Sequence, residues 1–322
     1  MAGYMQQAKS QLLITGANGF IGSRLSECAC KNWNIRRQVR QPLVGNEIVV
    51  GDLGADTDWF AALHGCEAVV HLAGRVHIMS DHAKSPIEEF RKINTIGTLN
   101  LAQQAVESGV KRFIYLSSIK VNGEFTLLGS PFTPDDIFIP TDPYALSKYE
   151  AEQGLLDLAR KSQMEVVIIR PPLVYGPDVK ANFLSMMKWL YKSIPLPFGS
   201  IHNKRSLVAL DNLIDLIITC IKHPAAANEV FLVSDGEDLS TSELLKQVSF
   251  ALGKRSRLLP VNQKVLEFCL GLIGKKDLSQ RLCGSLQVDI SKTKNLLNWT
   301  PPVDISNSLK ETVEHFLKRE II

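Results

Sequence analysis

Apolar positions along this chain follow two rhythms. Four short runs, Gln11 to Thr15, Ala68 to Leu72, Arg112 to Leu116 and Glu165 to Ile169, are almost unbroken. Runs of that length, apolar on both sides of the pleat, read as strands covered on both faces. Between them the apolar spacing changes to three and four. That change predicts helices over Phe20 to Lys31, Pro86 to Ser108 and Pro143 to Lys161. Ile35 to Arg40 and Glu47 to Val50 read as two further strands. Strands and helices in alternation predict an α/β chain built on a doubly wound parallel sheet.

After Pro171-Pro172 the rhythm is lost. Proline and glycine punctuate the chain (Gly176-Pro177, Pro195, Pro197, Gly199), and short helices are expected near Ala181 to Tyr191, Leu213 to Lys222, Ser242 to Leu252 and Ser306 to Leu317. The reading puts a cofactor-binding domain at 9–172 and a smaller, mainly C-terminal substrate-binding region at 173–322, laid over the carboxyl ends of the strands. Val265 to Ile273 is apolar but carries Glu267 and is far too short to span a bilayer. It reads as an amphipathic helix packed on the body, the alternative being a helix that rests on a membrane surface.

Composition adds exclusions. With 322 residues, 45% apolar and 21% charged, the chain is an ordinary globular one, and a net charge of +3 gives no nucleic-acid footprint. Six cysteines show no ligand or redox spacing and read as buried structural thiols in a reduced, cytoplasmic setting. Seven histidines form no ligand motif, so no metal is expected. The opening MAGYMQQAKS has no apolar core, so no secretory signal is expected.

The chemistry starts at LLITGANGFIG. Strand, glycine turn and helix follow one another, with Gly16, Gly19 and Gly22 in the turn alongside Asn18, Phe20 and Ile21. Such a turn lets backbone approach a pyrophosphate, and the helix start offers free N–H groups. The end of the second strand distinguishes the cofactors, because a carboxylate suits a ribose hydroxyl and an arginine suits a 2′-phosphate. NIRRQVRQP offers Arg36, Arg37 and Arg40 and no carboxylate. Arg40 is the candidate and NADPH the favoured cofactor, with NAD left open and a solvated basic edge as the plain alternative. Asp52 and Leu53 end the third strand, where the carboxylate is placed to accept from an adenine amino group. Leu72, Ala73 and Gly74 end the fourth, where Ala73 and Gly74 leave room for the cofactor. In PYALSKYEAE, Tyr144 and Lys148 share a helix face. A tyrosine near pKa ~10 needs a neighbouring cation to exchange protons near neutrality.

Together TGANGFIG, GDL, HLAG, YLSSIKVNG, YALSK, RPPLVYGP and the closing LNWTPP resemble the extended short-chain dehydrogenase/reductases, the NAD-dependent epimerases and dehydratases that act on nucleotide-sugars. The resemblance implies a Rossmann sheet with Tyr144 as acid/base, Lys148 on the nicotinamide ribose and lowering the tyrosine pKa, and Ser118 on the substrate oxygen. Ser117 reads as structural, one residue of register away, and stays among the substrate-side candidates. Asn182 falls where the family contacts nucleotide-sugar phosphates, and Arg205 where an arginine pairs with the pyrophosphate. A strand-entry salt bridge is the plain reading of Arg205. Asn94 matches a helix position near the active site, with a buried structural amide equally open. Asn122 stands where epimerases carry an aromatic, either in the substrate pocket or as a turn residue.

The family's dehydratases carry Asp-Glu where this chain has Ile119-Lys120, so dehydration is not expected. The resemblance is strongest to bacterial enzymes that reduce UDP-4-keto-6-deoxy-N-acetylhexosamines with NADPH for surface polysaccharides. A UDP-hexose or UDP-N-acetylhexosamine 4-epimerase with retained NAD is the alternative. Relatives that only sense a cofactor usually lose the tyrosine or the lysine, and both are present here. A homodimer through the Pro86 to Ser108 and Pro143 to Lys161 helices is usual in such proteins.

Overall fold

The computed structural model describes residues 9–41, 47–76, 85–272 and 274–320, apart from the side chain of Asp277. Most of the N-terminal decapeptide, His77, His82 and Ile273 lie outside them. By its contacts the chain forms two compact units, one of residues 1–121, 139–170 and 217–230 and one of 122–138, 171–216 and 231–322. These units interleave in sequence, so a single boundary at 172 does not describe them.

In chain order the first unit sets β1 (Gln11–Thr15), α1 (Phe20–Ala29), β2 (Asn34–Val39), β3 (Glu47–Val49), the single turn α2 (Phe60–Leu63) and β4 (Cys66–His71). Next come α3 (Pro86–Phe90), a π-helical stretch at Arg91–Gly97, α4 (Thr98–Glu107), β5 (Arg112–Leu116), α5 (Pro143–Lys161) and β6 (Glu165–Arg170). Further along lie β7 (Leu173–Tyr175), α6 (Ala181–Tyr191), β8 (Arg205–Ala209), α7 (Leu210–Lys222), β9 (Val230–Leu232), β10 (Asp238–Leu239) and α8 (Thr241–Ala251). The chain closes with α9 (Gln263–Leu272), α10 (Lys276–Cys283), α11 (Ser291–Leu297) and α12 (Ile305–Glu320).

The main sheet has seven strands in the order β3-β2-β1-β4-β5-β6-β9. Pairings from β3 across to β6 are all parallel. Its core is what the apolar runs require. Leu13, Val69, Phe113 and Val166 pack with Leu101, Ala102 and Ala105 of α4 and Ala151 and Leu155 of α5. Each such fully buried large side chain contributes roughly 1.5–3 kcal/mol. Helix α5 is capped by Asp142, whose carboxylate accepts from the Ala145 N–H at 2.9 Å, with Pro143 in its first turn. Gly154 lets α4 come close, since a Cβ there would lie 2.6 Å from Leu99 Cδ2. From β1 the chain runs outward to β2 and β3, and then returns to β4 on the other side. That reversal opens the crevice where ligands of such sheets bind.

The expected single helix from Pro86 to Ser108 is interrupted by the π-helical turns at 91–97. There Asn94 is buried, and a Cβ on Gly97 would sit 3.2 Å from Gly54 N and Leu53 Cβ. In the second unit β10-β8-β7 form a small sheet, antiparallel on one side of β8 and parallel on the other, where short helices alone were expected. Two of the six cysteines, Cys30 and Cys269, are exposed rather than buried. Cys30 sits at the C-terminal cap of α1, where its thiol donates to Glu27 O at 3.0 Å.

Candidate active site

The glycine turn is built by close approach. Gly16 has φ +64°, and a Cβ on it would meet Ala73 N at 3.0 Å, so the first turn and the end of β4 abut. Gly22 is more constrained still, because its Cβ would lie 2.2 Å from Gly16 O. Gly19 begins α1 with no side-chain cap, and the first turn holds no acidic residue. Exposed Asn18 and half-buried Phe20 and Ile21 complete the turn. Backbone N–H groups at a ten-residue helix's start, beside the small residues Ala73 and Gly74, fit a dinucleotide diphosphate.

Three residues brace this cradle that the sequence did not single out. Gln38 accepts the Gly16 N–H at 3.1 Å through Oε1. Thr15 Oγ1 accepts from the N–H groups of Leu72 (3.1 Å) and Ala73 (3.2 Å), so its own hydrogen goes to His71 Nδ1 at 2.7 Å. His71 therefore carries its proton on Nε2 and donates to Thr98 Oγ1 at 3.0 Å. Burial, with the Lys148 charge, pushes the His71 pKa down to about 3.

At the end of β2 the three arginines separate. Arg36 donates to the carbonyls of Ala61, Ala62 and His64 behind α2. Arg37 lies 3.5 Å from the Glu47 carboxylate on β3, so the basic strand does have an acidic neighbour. Arg40 stands exposed just past the strand, and Asp52 is exposed beside buried Leu53.

Tyr144 and Lys148 project from α5 beside the end of β5. Ser118 acts on the Tyr144 phenol, lowering its pKa, and its hydroxyl accepts from the Lys120 N–H at 3.3 Å. Neighbouring Ser117 is buried, 5% exposed, with its hydroxyl unpartnered and its N–H donated to Ile169 O. Of the pair, Ser118 is the one that meets the tyrosine. The Lys148 ammonium donates to Leu116 O at 3.0 Å and lies 4.6 Å from the centre of the Tyr115 ring. Its pKa is pushed down to about 8 by burial, against the raising charge of Glu152. Tyr144 is pushed up to about 12 by burial, with the Ser118 bond pulling the other way. Desolvation dominates, the nearby Asp142 charge adds to it, and the expected lowering by Lys148 is not among the effects that set the tyrosine.

Asn94 ties the same region together. Its amide accepts from Arg75 N (2.8 Å) and donates to Arg75 O (3.0 Å) and Ser147 Oγ (3.1 Å). The π-helical turn aims it there. It is a brace between the Gly74 turn and α5.

In the second unit, Asn122 donates its amide to Thr133 O at 2.7 Å, bracing its loop, and Gly123 lies under the Phe132 ring. Asn182 is exposed at the start of α6. Arg205 donates to Gly284 O at 3.0 Å, and burial lowers its pKa. That bond goes to a carbonyl, not to the carboxylate that a strand-entry salt bridge would need.

Residues 12–234 match the NAD dependent epimerase/dehydratase family. The chain is 50% identical over 313 residues to a UDP-glucose 4-epimerase of Vibrio cholerae, covering 95% of each. It is 28% identical over 325 residues, 94% of each chain, to an N-acetyl-alpha-D-glucosaminyl-diphospho-ditrans,octacis-undecaprenol 4-epimerase of Escherichia coli O157:H7. The fold is shared with a UDP-N-acetylglucosamine 4-epimerase from Bacillus cereus, at 21% identity and a TM-score of 0.78, covering 97% of this chain and 100% of that one. With NAD(P)-binding geometry at its first turn and a match over most of its length, this chain belongs to the NAD dependent epimerase/dehydratase family of enzymes.

Proposed function

We propose that the chain interconverts the C4 epimers of a UDP-hexose with a retained NAD. The observation that carries this reading is the 50% identity, over 95% of both chains, to the Vibrio cholerae UDP-glucose 4-epimerase. When bound, NAD supplies reversible hydride exchange at C4. Tyr144 holds and returns the proton of the C4 oxygen, which Ser118 also hydrogen-bonds. Because burial keeps the Tyr144 proton on to about 12, its removal is the demanding direction, and the Ser118 bond eases it. Lys148 brings a positive charge that is half lost near pH 8. Gly16, Gly19 and the start of α1 are assigned to the diphosphate of the cofactor, and Arg205 and Asn182 to that of the sugar carrier. Dehydration has no support: Ile119 is buried, and Lys120 lies 3.7 Å from the Asp142 carboxylate.

A second reading, an NADPH-dependent reductase of UDP-4-keto-6-deoxy-N-acetylhexosamines, is favoured by one feature. The end of β2 offers exposed Arg40 where an acidic residue suits NAD. The deciding experiment incubates the enzyme with UDP-glucose and no added cofactor, and separately with NADPH and the 4-keto sugar. UDP-galactose in the first arm supports the epimerase. NADPH loss in the second with no product in the first supports the reductase, and silence in both overturns the two together.

A further inference from the structure

Helix α9 packs inward through Leu266 and Leu270 against Ile201, Phe198, Val261 and Cys283. A second apolar stripe on the same helix faces water. Val265, Phe268 and Leu272 are 53%, 66% and 71% exposed, at spacings of three and four that place them along one side. The amphipathic helix expected here does pack on the body, but through one face only, and Val265, Phe268, Cys269 and Leu272 of its apolar residues stay exposed. Leu278 of α10 is also exposed, as are Phe125, Leu127 and Leu128 of the loop after β5. This loop belongs to the same surface. The Thr126 N–H donates to Ser285 O at 2.8 Å. Phe125 and Thr126 line an open cavity of about 430 Å³ together with Glu267, Gly271, Lys276 and Cys283. Globular chains rarely leave so many large apolar side chains together without a partner.

Charge identifies the partner. Residues 263–284, which hold α9 and α10, carry Lys264, Lys275, Lys276 and Arg281 against Glu267 and Asp277. This segment of the face is therefore net positive. Lys264, Lys275 and Lys276 are exposed at the two ends of the stripe. A second copy docked through this face would set like charges against one another. An apolar stripe flanked by lysines suits the boundary between headgroups and acyl chains of an anionic bilayer.

We propose that α9, α10 and the loop 125–128 form a docking surface for an anionic lipid bilayer. No helix among the described residues is long and apolar enough to cross a membrane, so the contact is peripheral. The proposal does not rest on which sugar, carrier or cofactor the enzyme uses, and its test reads binding alone.

The test is co-sedimentation of the full chain with vesicles of phosphatidylcholine containing roughly a third phosphatidylglycerol, or of phosphatidylcholine alone, at low and high salt. Binding should need the anionic lipid and fall about tenfold or more in high salt. Phe268→Glu with Leu272→Glu should lower it about tenfold or more, with an unchanged thermal midpoint because both side chains are exposed. Lys275→Glu with Lys276→Glu should do the same. No binding by the unaltered chain overturns the proposal, and so does undiminished binding when Phe268→Glu and Leu272→Glu are combined. A concentration-dependent dimer that the same two changes abolish, without vesicle binding, would overturn it in favour of a self-association face.

Discussion

Acid should loosen the cofactor cradle through one imidazole. His71 is fully buried between Thr15 and Thr98, and its pKa is held at about 3 against an ordinary value of 6.5. With the folded value depressed, the unfolded chain binds the extra proton between those limits. The contribution is therefore complete above the unfolded value and is lost as pH falls through the window toward the folded one. At ~1.36 kcal/mol per unit the whole shift corresponds to about 4–5 kcal/mol, of which ~2 kcal/mol is lost by pH ~5. Charging the ring puts a hydrogen on Nδ1, where Thr15 now donates, and so disturbs the hydroxyl that accepts from Leu72 and Ala73. His71→Gln keeps one acceptor and one donor and cannot titrate. Urea unfolding of both chains at pH ~7.5, ~6 and ~5 isolates the effect, since other groups titrate equally in each. The native chain should lose about 2 kcal/mol more than the variant between the ends of that range. Parallel decline in the two chains would refute the burial argument.

Other perturbations follow from the same geometry. Tyr144→Phe should cut turnover by roughly 10²–10⁴-fold and leave dinucleotide binding unchanged; product formation and a cofactor titration check both, and near-normal turnover would remove Tyr144 from the chemistry. Gly22→Ala drives a Cβ to 2.2 Å from Gly16 O and should cost about 1–3 kcal/mol or more along with cofactor affinity. Gly54→Ala, whose Cβ meets nothing within 4 Å, is the control, and equal thermal midpoints for the two variants would refute the packing argument. Arg40→Ala should weaken NADPH about tenfold or more while barely affecting NADH if the side chain meets a 2′-phosphate. Equal losses in the two titrations would take the arginine away from that phosphate.

The strands were legible because burial on both faces leaves a short, nearly continuous apolar run that no other element needs. Gln11–Thr15, Arg112–Leu116 and the helix Pro143–Lys161 fall where the pattern puts them. The turn at Gly16 was legible too, because only glycine accepts both a positive φ and a backbone neighbour so close. What stayed hidden depends on partners distant in sequence. The π-helical stretch at Arg91–Gly97 serves Asn94 and Gly97, whose demands come from Arg75, Ser147 and Leu53. An i, i+4 spacing places Tyr144 and Lys148 on one face, but the ammonium's aim at Leu116 O and the Tyr115 ring arises from β5. Likewise the sequence marks α9 as amphipathic without saying how much of its apolar surface the body covers.

The charges beneath the tyrosine show how the site is sustained. Glu152 lies four residues after Lys148 on α5 and is 0% exposed. Arg170, at the end of β6, grips it with contacts of 3.0, 3.2 and 2.6 Å. A buried ion pair is a poor source of stability, because desolvating two charges offsets most of their attraction. Its effect on a third charge is of another kind. Desolvation pushes the Lys148 pKa down, and the Glu152 carboxylate is the group that raises it again. Arg170 fixes that carboxylate in place by hydrogen bonds to both of its oxygens, so its field always falls on the same side of the lysine. The pair thus favours a charged lysine beside a tyrosine that burial keeps protonated, and the buried face of α5 acts as one electrostatic unit.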